Sequence, residues 1–544
     1  MLHRTLLVVG LCATFSHAQA QCNEVDETKV LLVGDSWAFF MGIDQTINEV
    51  FEKWGHSNFK FRTNLVVAEN GAETDDFLQQ DKQDEIQQLI DDDPNIKVVH
   101  LSIGGNDVLG DWHISFTQAQ TDSLKAAVQV RLIEVIEFIK TTRPDIHILW
   151  SGYTYPNFEE VIESIAPLQT IHPFYGTWEG MGFPTFIQLN TILNEFSDSM
   201  AAYAATDPRV DFVPATGLMQ YTYGQDTPLG VPPGGTYPAY TVPLPTGDPQ
   251  YPSPRNSMRD YGLTRDCFHL SAGGYRDLIE YHTRKFYHKY LMSDLYVLSD
   301  GGANDGSVSS EGSVSTSLMM GRTGSEDFAT VLSFNTTGIP SGQQVAKASI
   351  FLRRQNLVGT NPISGGLQLK VIDGHFGTSP SVEVADWTAF ADATGTPCRF
   401  GSNGGDGHWI RLEVPSAMLP FITANEGTQF ILSDPSGTDG RVTFNNASDP
   451  DFAPVLNLTF EPLSVGIEHL IGTMEAGVYP NPTTGTVFFG TVPQQVVVMD
   501  VLGQVVLRSG MRPRSVDLTS LPAGTYLLQL VGTDAPVVQR VVKW

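Results

Sequence analysis

Short apolar runs alternate along the first half of the chain with stretches whose apolar positions recur every three or four residues. The runs read as buried strands at Lys29–Val33, Asn64–Val67, Val98–Ile103, Ile146–Trp150 and Val210–Val213. After the first, Ile43, Ile47, Val50, Phe51 and Trp54 trace one helical face that Gly55 ends. Leu124, Val128, Leu132, Val135, Ile136 and Ile139 trace the clearest of the other helices. A last helix is predicted from Ser271, a good N-cap, to Leu291. Units of this kind, repeated from Cys22 to about residue 293, predict a mostly parallel sheet with helices on both faces. The segment from Tyr221 to Asn256 breaks the rhythm. Crowded with Pro, Gly and Tyr, it reads as a long ordered loop expected to line or roof a cleft.

After about Asp294 the helical period vanishes, and Gly, Ser and Thr clusters separate short alternating runs. Ala329–Phe334, Lys347–Leu352, Leu367–Val371, Trp409–Val414, Gln429–Leu432 and Val455–Phe460 read as strands of a β-sandwich. A boundary near Leu463–Met474 precedes a second, smaller all-β stretch. Its strands are predicted at Thr486–Phe489, Gln495–Met499, Gln504–Leu507, Ser515–Asp517, Thr525–Leu530 and Pro536–Val542. A length of 544 residues suits about three such domains.

Composition narrows the partners. With 60 acidic residues against 32 Lys and Arg, the formal charge is −28, a field that repels phosphate backbones and anionic lipid. No nucleic-acid partner and no transmembrane segment are expected. Residues 1–20 read as a secretory signal peptide: His3 and Arg4, an apolar stretch from Leu6 to Phe15, then Ala18-Gln19-Ala20. Leu11 and Gln21 precede Cys12 and Cys22 where a lipoprotein signal wants a small residue, so cleavage without a lipid anchor is expected. The mature chain keeps Cys22, Cys267 and Cys398, at most one bridge, and a Cys22–Cys267 pair is disfavoured by their places at opposite ends of the first strand.

Four short segments carry candidate chemistry. Ser36, in Gly34-Asp35-Ser36-Trp37, falls between a strand and a helix, where N–H groups stabilise negative charge; Asp35 or Ser36 acting only as helix cap accounts for the triplet equally well. Gly71 follows the second strand and brings a backbone N–H close to a reacting carbonyl, or is an ordinary turn glycine. Asn106, in Gly104-Gly105-Asn106-Asp107, offers a side-chain amide to an oxyanion or bonds its own turn. Asp266 and His269 stand three apart on a predicted tight loop before the last helix, as orienting acid and base. His113 is the runner-up base.

Gly34-Asp35-Ser36, Gly71, Gly104-x-Asn106-Asp107 and Asp266-x-x-His269 together resemble the four blocks of the SGNH, or GDSL-type, hydrolases, over about residues 28–292. Trp37 departs from the family's Leu. The resemblance implies a flavodoxin-like three-layer α/β/α domain at residues 21–295 and ester hydrolysis without cofactor or metal. It assigns Ser36 as nucleophile, His269 as base and Asp266 as its partner, with Ser36, Gly71 and Asn106 as oxyanion hole. Asp300 with Asn304 and Asp305 hints at calcium or is a solvated linker.

Residues 296–462 resemble the DNRLRE-type β-sandwich domains of secreted bacterial enzymes, through Leu318-Met319-Met320-Gly321-Arg322, Ala329–Phe334, Ile339-Pro340, Ala348–Leu352 and Ala453–Leu458. That likeness implies polysaccharide binding; Trp387, Phe390 and Trp409 are either an aromatic platform for sugars or core. After a linker at 463–474, residues 475–544 resemble the sorting domain of type IX secretion. The matching residues are Val478-Tyr479-Pro480-Asn481-Pro482-Thr483-Thr484-Gly485, Val501-Leu502-Gly503, Asp517-Leu518-Thr519, Leu521–Tyr526 and Val541-Val542-Lys543. They imply a Bacteroidota-type bacterium, contact with the type IX machinery and a secreted or cell-surface protein. The expected function is a secreted serine esterase removing O-acyl, above all acetyl, groups from polysaccharides. A lipase or phospholipase of the same type is the alternative, and a non-catalytic glycan binder a further one.

Overall fold

Five strands of the amino-terminal part pair in parallel in the order β2–β1–β3–β4–β5. They are β1 (Glu27–Gly34), β2 (Phe59–Arg62), β3 (Val98–Ser102), β4 (His147–Ser151) and β5 (Val210–Val213). This is the flavodoxin-like order, whose direction of winding reverses between β1 and β3, so the carboxyl ends of those strands form the switch point where ligands bind. The computed structural model describes residues 25–544 apart from 225–227, 230–234, 238–246, 292–293, 365, 401–404, 426, 463–476, 502–503 and 532–536. The predicted signal peptide, Cys12, Cys22, the linker at 463–474, and Leu502 and Gly503 lie outside the described residues.

The helices are α1 (Ser36–Ile43), α2 (Thr46–Lys53), α3 (Gln80–Asp91), α4 (Gly105–Asp111), α5 (Gln118–Thr142), α6 (Phe158–Glu163), α7 (Tyr175–Gly180), α8 (Phe186–Ala204), α9 (Leu218–Tyr223) and α10 (Ala272–His282). Alternation along β1 divides them between the faces. Leu31 and Val33 join Ile86, Val128, Leu132, Leu189 and Ile192 of α3, α5 and α8 in one core. Val30 and Leu32 join Met41, Ile47, Phe51, Tyr275 and Leu278 of α1, α2 and α10 in the other.

Two expectations are corrected. The second strand lies at Phe59–Arg62, not Asn64–Val67: the Asn64 Oδ1 accepts the N–H groups of Val66 and Val67, which makes the latter a turn. The helix expected through Ile43 and Trp54 is two helices, because Gln45 takes a left-handed conformation (φ 54°) and leaves Ile43 half-exposed. The last helix begins after Ser271, whose side chain accepts the Gly274 N–H, and a π turn over Thr283–Tyr287 carries it on to Tyr290.

From Leu295 to Pro462 the chain is antiparallel β. The strand Gln343–Gly359 belongs to both layers: Ser349–Arg353 pair with Trp409–Glu413, and Arg354 and, past a bulge, Asn356–Gly359 pair with Gly440–Phe444. Leu332, Phe334, Ile350, Leu352, Phe430 and Val442 fill the core between the layers. Phe351, Trp409 and Val455 instead enter the α/β core with Phe51, Trp54 and Tyr287, and the Trp54 and Trp409 rings stack at 4.5 Å. The chain divides into two compact units after Glu461. Trp409 is thus core, Trp387 is half-buried against Val308 and Phe376, and Phe390 is exposed. Asp305 accepts the N–H groups of Gly301 and Ser333, and Asp300 the Ser333 hydroxyl, so these carboxylates pin a turn. Cys398 is disulfide-bonded, whereas Cys267 is a buried free thiol.

The second unit builds two small antiparallel sheets. One holds Val478–Tyr479, Thr486–Phe489 and Ser515–Asp517; the other holds Gln495–Met499, Val505–Arg508, Gly524–Val531 and Val537–Lys543. Val487, Val496, Val498, Leu528, Leu530 and Val541 form its core. No helix among the described residues is long and apolar enough to cross a membrane.

Candidate active site

The carboxyl end of β1 turns where no side chain fits. A Cβ on Gly34 would stand 1.9 Å from the Ser102 carbonyl of β3, and its φ of 151° suits glycine. The close approach lets the Asp35 N–H donate to Ser102 O and the Gly34 N–H to Val67 O. Asp35 Oδ1 accepts the Trp37 N–H, so the carboxylate caps α1 and the Ser36 hydroxyl does not. Ser36 opens the helix, 3 % exposed, with its backbone N–H among the first-turn donors that have no partner within the helix.

Three loops are braced around it. Tyr153, just past β4, donates to Asp35 Oδ2 at 2.5 Å and accepts the Gly105 N–H at 3.1 Å. Burial pushes the Asp35 carboxyl up to about 6, against the opposing pull of the Tyr153 and Trp37 hydrogen bonds and the nearby His269. Asn106, at the start of α4, gives one amide hydrogen to Ala72 O at 2.8 Å, which holds it beside the Gly71 loop. Gly71 takes a left-handed φ of 87° with open space around the position of a Cβ. The fully buried Asp107 carboxylate accepts the Thr74 N–H, the Thr74 hydroxyl and Arg131 Nη2 at 3.0, 2.5 and 2.7 Å. Arg131 reaches it from α5, so one ion pair ties that helix to both loops.

The fourth segment comes on a hairpin of β6 (Met258–Asp260) and β7 (Arg265–Leu270). Asp266 and His269 therefore stand within a strand, not on the loop expected. They still meet, because Asp266 Oδ1 accepts the Phe268 and His269 N–H groups and coils the backbone back on itself. Asp266 Oδ2 is 2.8 Å from His269 Nδ1. A carboxylate oxygen accepts this bond, so in the neutral imidazole Nδ1 carries the proton and Nε2 the lone pair. That Nε2 is buried and has no hydrogen-bond partner among the described residues. The imidazole packs 4.8 Å from Phe40, which follows Ser36 by one helical turn and shares its face of α1. Arg259 of β6 lies 4.0 Å over the Phe40 ring and holds Asp44 through both terminal nitrogens, at 2.8 and 3.0 Å.

A cleft of about 40 Å³ opens at this point, lined by Ser36, Asn106 and Tyr153 and walled by Leu189, Leu193 and Phe268. His269 and Gly71 are not among its lining residues; the cleft presents the Ser36 hydroxyl and the Asn106 amide, a candidate nucleophile and a donor suited to an oxyanion. His113 bonds Ser115 in the turn between α4 and α5, away from the dyad. The Tyr221–Asn256 segment contributes no lining among the described residues. Its Asp248 and Tyr251 instead bond Gln220 and Asn190, against α9 and α8. Sequence reasoning missed Tyr153, Arg131, Thr74 and Arg259. Position just past a strand end marks Tyr153, and a cation flanking the apolar Val128–Leu132 stripe marks Arg131.

Residues 477–543 match the family described as the secretion system C-terminal sorting domain, so the chain carries a sorting tail for a secretion machinery. No curated protein matches the chain. Among solved structures, a family 3 carbohydrate esterase from Clostridium thermocellum is 15% identical, with 48% of this chain and 94% of that one covered and a TM-score of 0.25. A GDSL-like lipase from Bacteroides thetaiotaomicron is 13% identical, with coverage of 48% and 88% and a TM-score of 0.27. An extracellular lipase from Streptomyces rimosus is 15% identical, with coverage of 46% and 98% and a TM-score of 0.27. Likeness at these TM-scores carries nothing about activity.

Proposed function

We propose that the chain is a secreted serine esterase of the SGNH type, with Ser36 as nucleophile, His269 as base and Asp266 orienting it. The observation that supports this most is the Asp266–His269 pair, whose ring packs 4.8 Å from Phe40, one turn after Ser36 on α1, and whose Nε2 has no hydrogen-bond partner among the described residues. In this reading His269 Nε2 takes the Ser36 proton as Oγ attacks the ester carbonyl. The Ser36 and Gly71 N–H groups and the second Asn106 amide hydrogen hold the oxyanion. His269 returns the proton to the leaving alcohol, and water, deprotonated in turn by His269, releases the acid. The small apolar-walled cleft favours short acyl groups, acetyl first, over lipid chains. The alcohol is taken to be a polysaccharide hydroxyl, and residues 1–20 a signal peptide that precedes export through the type IX route. A fluorophosphonate probe and p-nitrophenyl acetate test the assignment on the full chain. Labelling and turnover that both vanish in Ser36→Ala are expected; labelling that persists in the variant, or none in either protein, overturns it.

A further inference from the structure

At the amino end of the same sheet, the α/β part and the sandwich border a polar, partly open cavity of about 450 Å³. That lies within the range of about 300–1,000 Å³ found for small-molecule sites. Glu27 opens β1 on this side, with Lys29 two residues on, and Ser36 follows its other end, so a strand's length of roughly 20 Å separates cavity and proposed nucleophile. Its lining is not a finished interface. His56, Asn58 and Asn457 are 3, 6 and 3 % exposed, yet both ring nitrogens of His56, the Asn58 Oδ1 and both amide atoms of Asn457 have no hydrogen-bond partner among the described residues. Buried polar atoms of this kind are costly unless water or a ligand meets them. Asn457 offers a donor and an acceptor, Asn58 an acceptor, and the Ser349 and Thr459 hydroxyls both, a set matched to vicinal hydroxyl groups.

Charge adds a second requirement. Four cations line the cavity, Lys29, Lys97, Lys347 and Arg411, against Glu27, Asp294 and Glu413, although the chain as a whole is strongly acidic. Lys29 pairs with Glu27 and Lys97 with Asp145, while Asp294 accepts the Phe460 N–H. Arg411 lies over the Phe400 ring, and burial, with the positive charges of Arg411 and Lys29 nearby, holds His56 neutral. We propose that this seam is a second binding site, for an acidic sugar: hydroxyls on Asn457 and Asn58, carboxylate toward Arg411 and Lys347. It stands whether or not Ser36 is a nucleophile.

Calorimetric titration of the full chain with galacturonate tests it, with galactose and acetate as controls. Saturable binding of galacturonate is expected, with galactose and acetate at least about tenfold weaker. Lys347 is exposed and the Asn457 side chain has no hydrogen-bond partner among the described residues, so Lys347→Glu and Asn457→Ala keep the structure. Each is expected to weaken binding about tenfold, with hydrolysis of p-nitrophenyl acetate unchanged. Trigalacturonate distinguishes the source: tighter binding than the monomer means a polymer unit, equal binding a free sugar, and both sustain the site. Three outcomes overturn it: no saturable binding of any sugar, galactose bound as tightly as galacturonate, or binding indifferent to both substitutions.

Discussion

At the carboxyl ends of β1 and β3 every buried carboxylate has donors. Asp35 takes Tyr153 and Trp37, Asp107 takes Thr74 and Arg131, and Asp266 takes two backbone N–H groups and His269. At the amino ends, His56, Asn58 and Asn457 are as deeply buried and leave polar atoms unpartnered. Burial is alike, but the carboxylates of the first end are satisfied and these side chains of the second are not. A satisfied network fixes its members against one another, which a reacting group needs to hold geometry. An unsatisfied one leaves donors and acceptors for something else to meet. At the first end the carboxylates are satisfied while Ser102 Oγ, Thr154 Oγ1 and His269 Nε2 have no hydrogen-bond partner among the described residues, and the last is the atom the proposed chemistry uses.

The comparison breaks most visibly at Asp266. Asp266→Asn keeps the shape of the side chain, but an amide next to Nδ1 favours the tautomer with the proton on Nε2. If the satisfied network serves catalysis, kcat/KM for p-nitrophenyl acetate should fall about 10⁴-fold with little change in thermal stability. Activity within a few-fold of the wild type would mean that this carboxylate only holds the hairpin.

Legibility followed the reach of each interaction. The inner strands β1, β3 and β4 carry mostly apolar buried runs because both faces are covered, whereas the edge strand β5 breaks its run with the exposed Asp211. The Phe59–Arg62 strand is a half-buried edge whose Phe-Lys-Phe-Arg alternation is short beside the apolar Leu65-Val66-Val67 that follows. Ser36, Asn106, Asp266 and His269 stood out because each sits in a short segment with its own pattern. Tyr153 and Arg259 did not, since their partners lie 118 and 215 residues away. The seam was hidden for the same reason in stronger form. Trp409 belongs to a strand whose pattern announces a sandwich, and only docking against Trp54 makes it core of the α/β part. The sorting tail, with local turns between short strands, was legible nearly strand by strand.

A smaller effect sharpens the contrast by showing that a satisfied carboxylate still carries a cost of burial. Asp35 titrates at about 6 in the fold because of desolvation, above its ordinary 3.8. Between those values the unfolded chain gives up this proton first, so stability falls as pH rises from about 4 to 6 and stays lower above that. A shift of this size corresponds to about 3 kcal/mol. Asp35→Asn keeps the Trp37 bond through its oxygen and meets the Tyr153 hydroxyl through its amide. Urea unfolding midpoints across this range should fall in the wild type and stay level in the variant. Parallel curves would show that the Tyr153 and Trp37 hydrogen bonds fully offset the burial.

The smallest effect separates holding the fold from holding the base. Arg259 lies flat on Phe40 and grips Asp44 with both terminal nitrogens, and Phe40 in turn supports the His269 ring. Lysine keeps the charge and loses the fork and the flat face, so Arg259→Lys should cost about 1 kcal/mol of stability. If the stack also positions the imidazole, kcat should drop several-fold while KM holds, because the substrate cleft around Leu189 and Leu193 is untouched. A variant with lower thermal stability and unaltered kcat would confine Arg259 to fastening the hairpin onto α1. The satisfied network would then end at Asp266, and His269 would be aimed by its carboxylate alone.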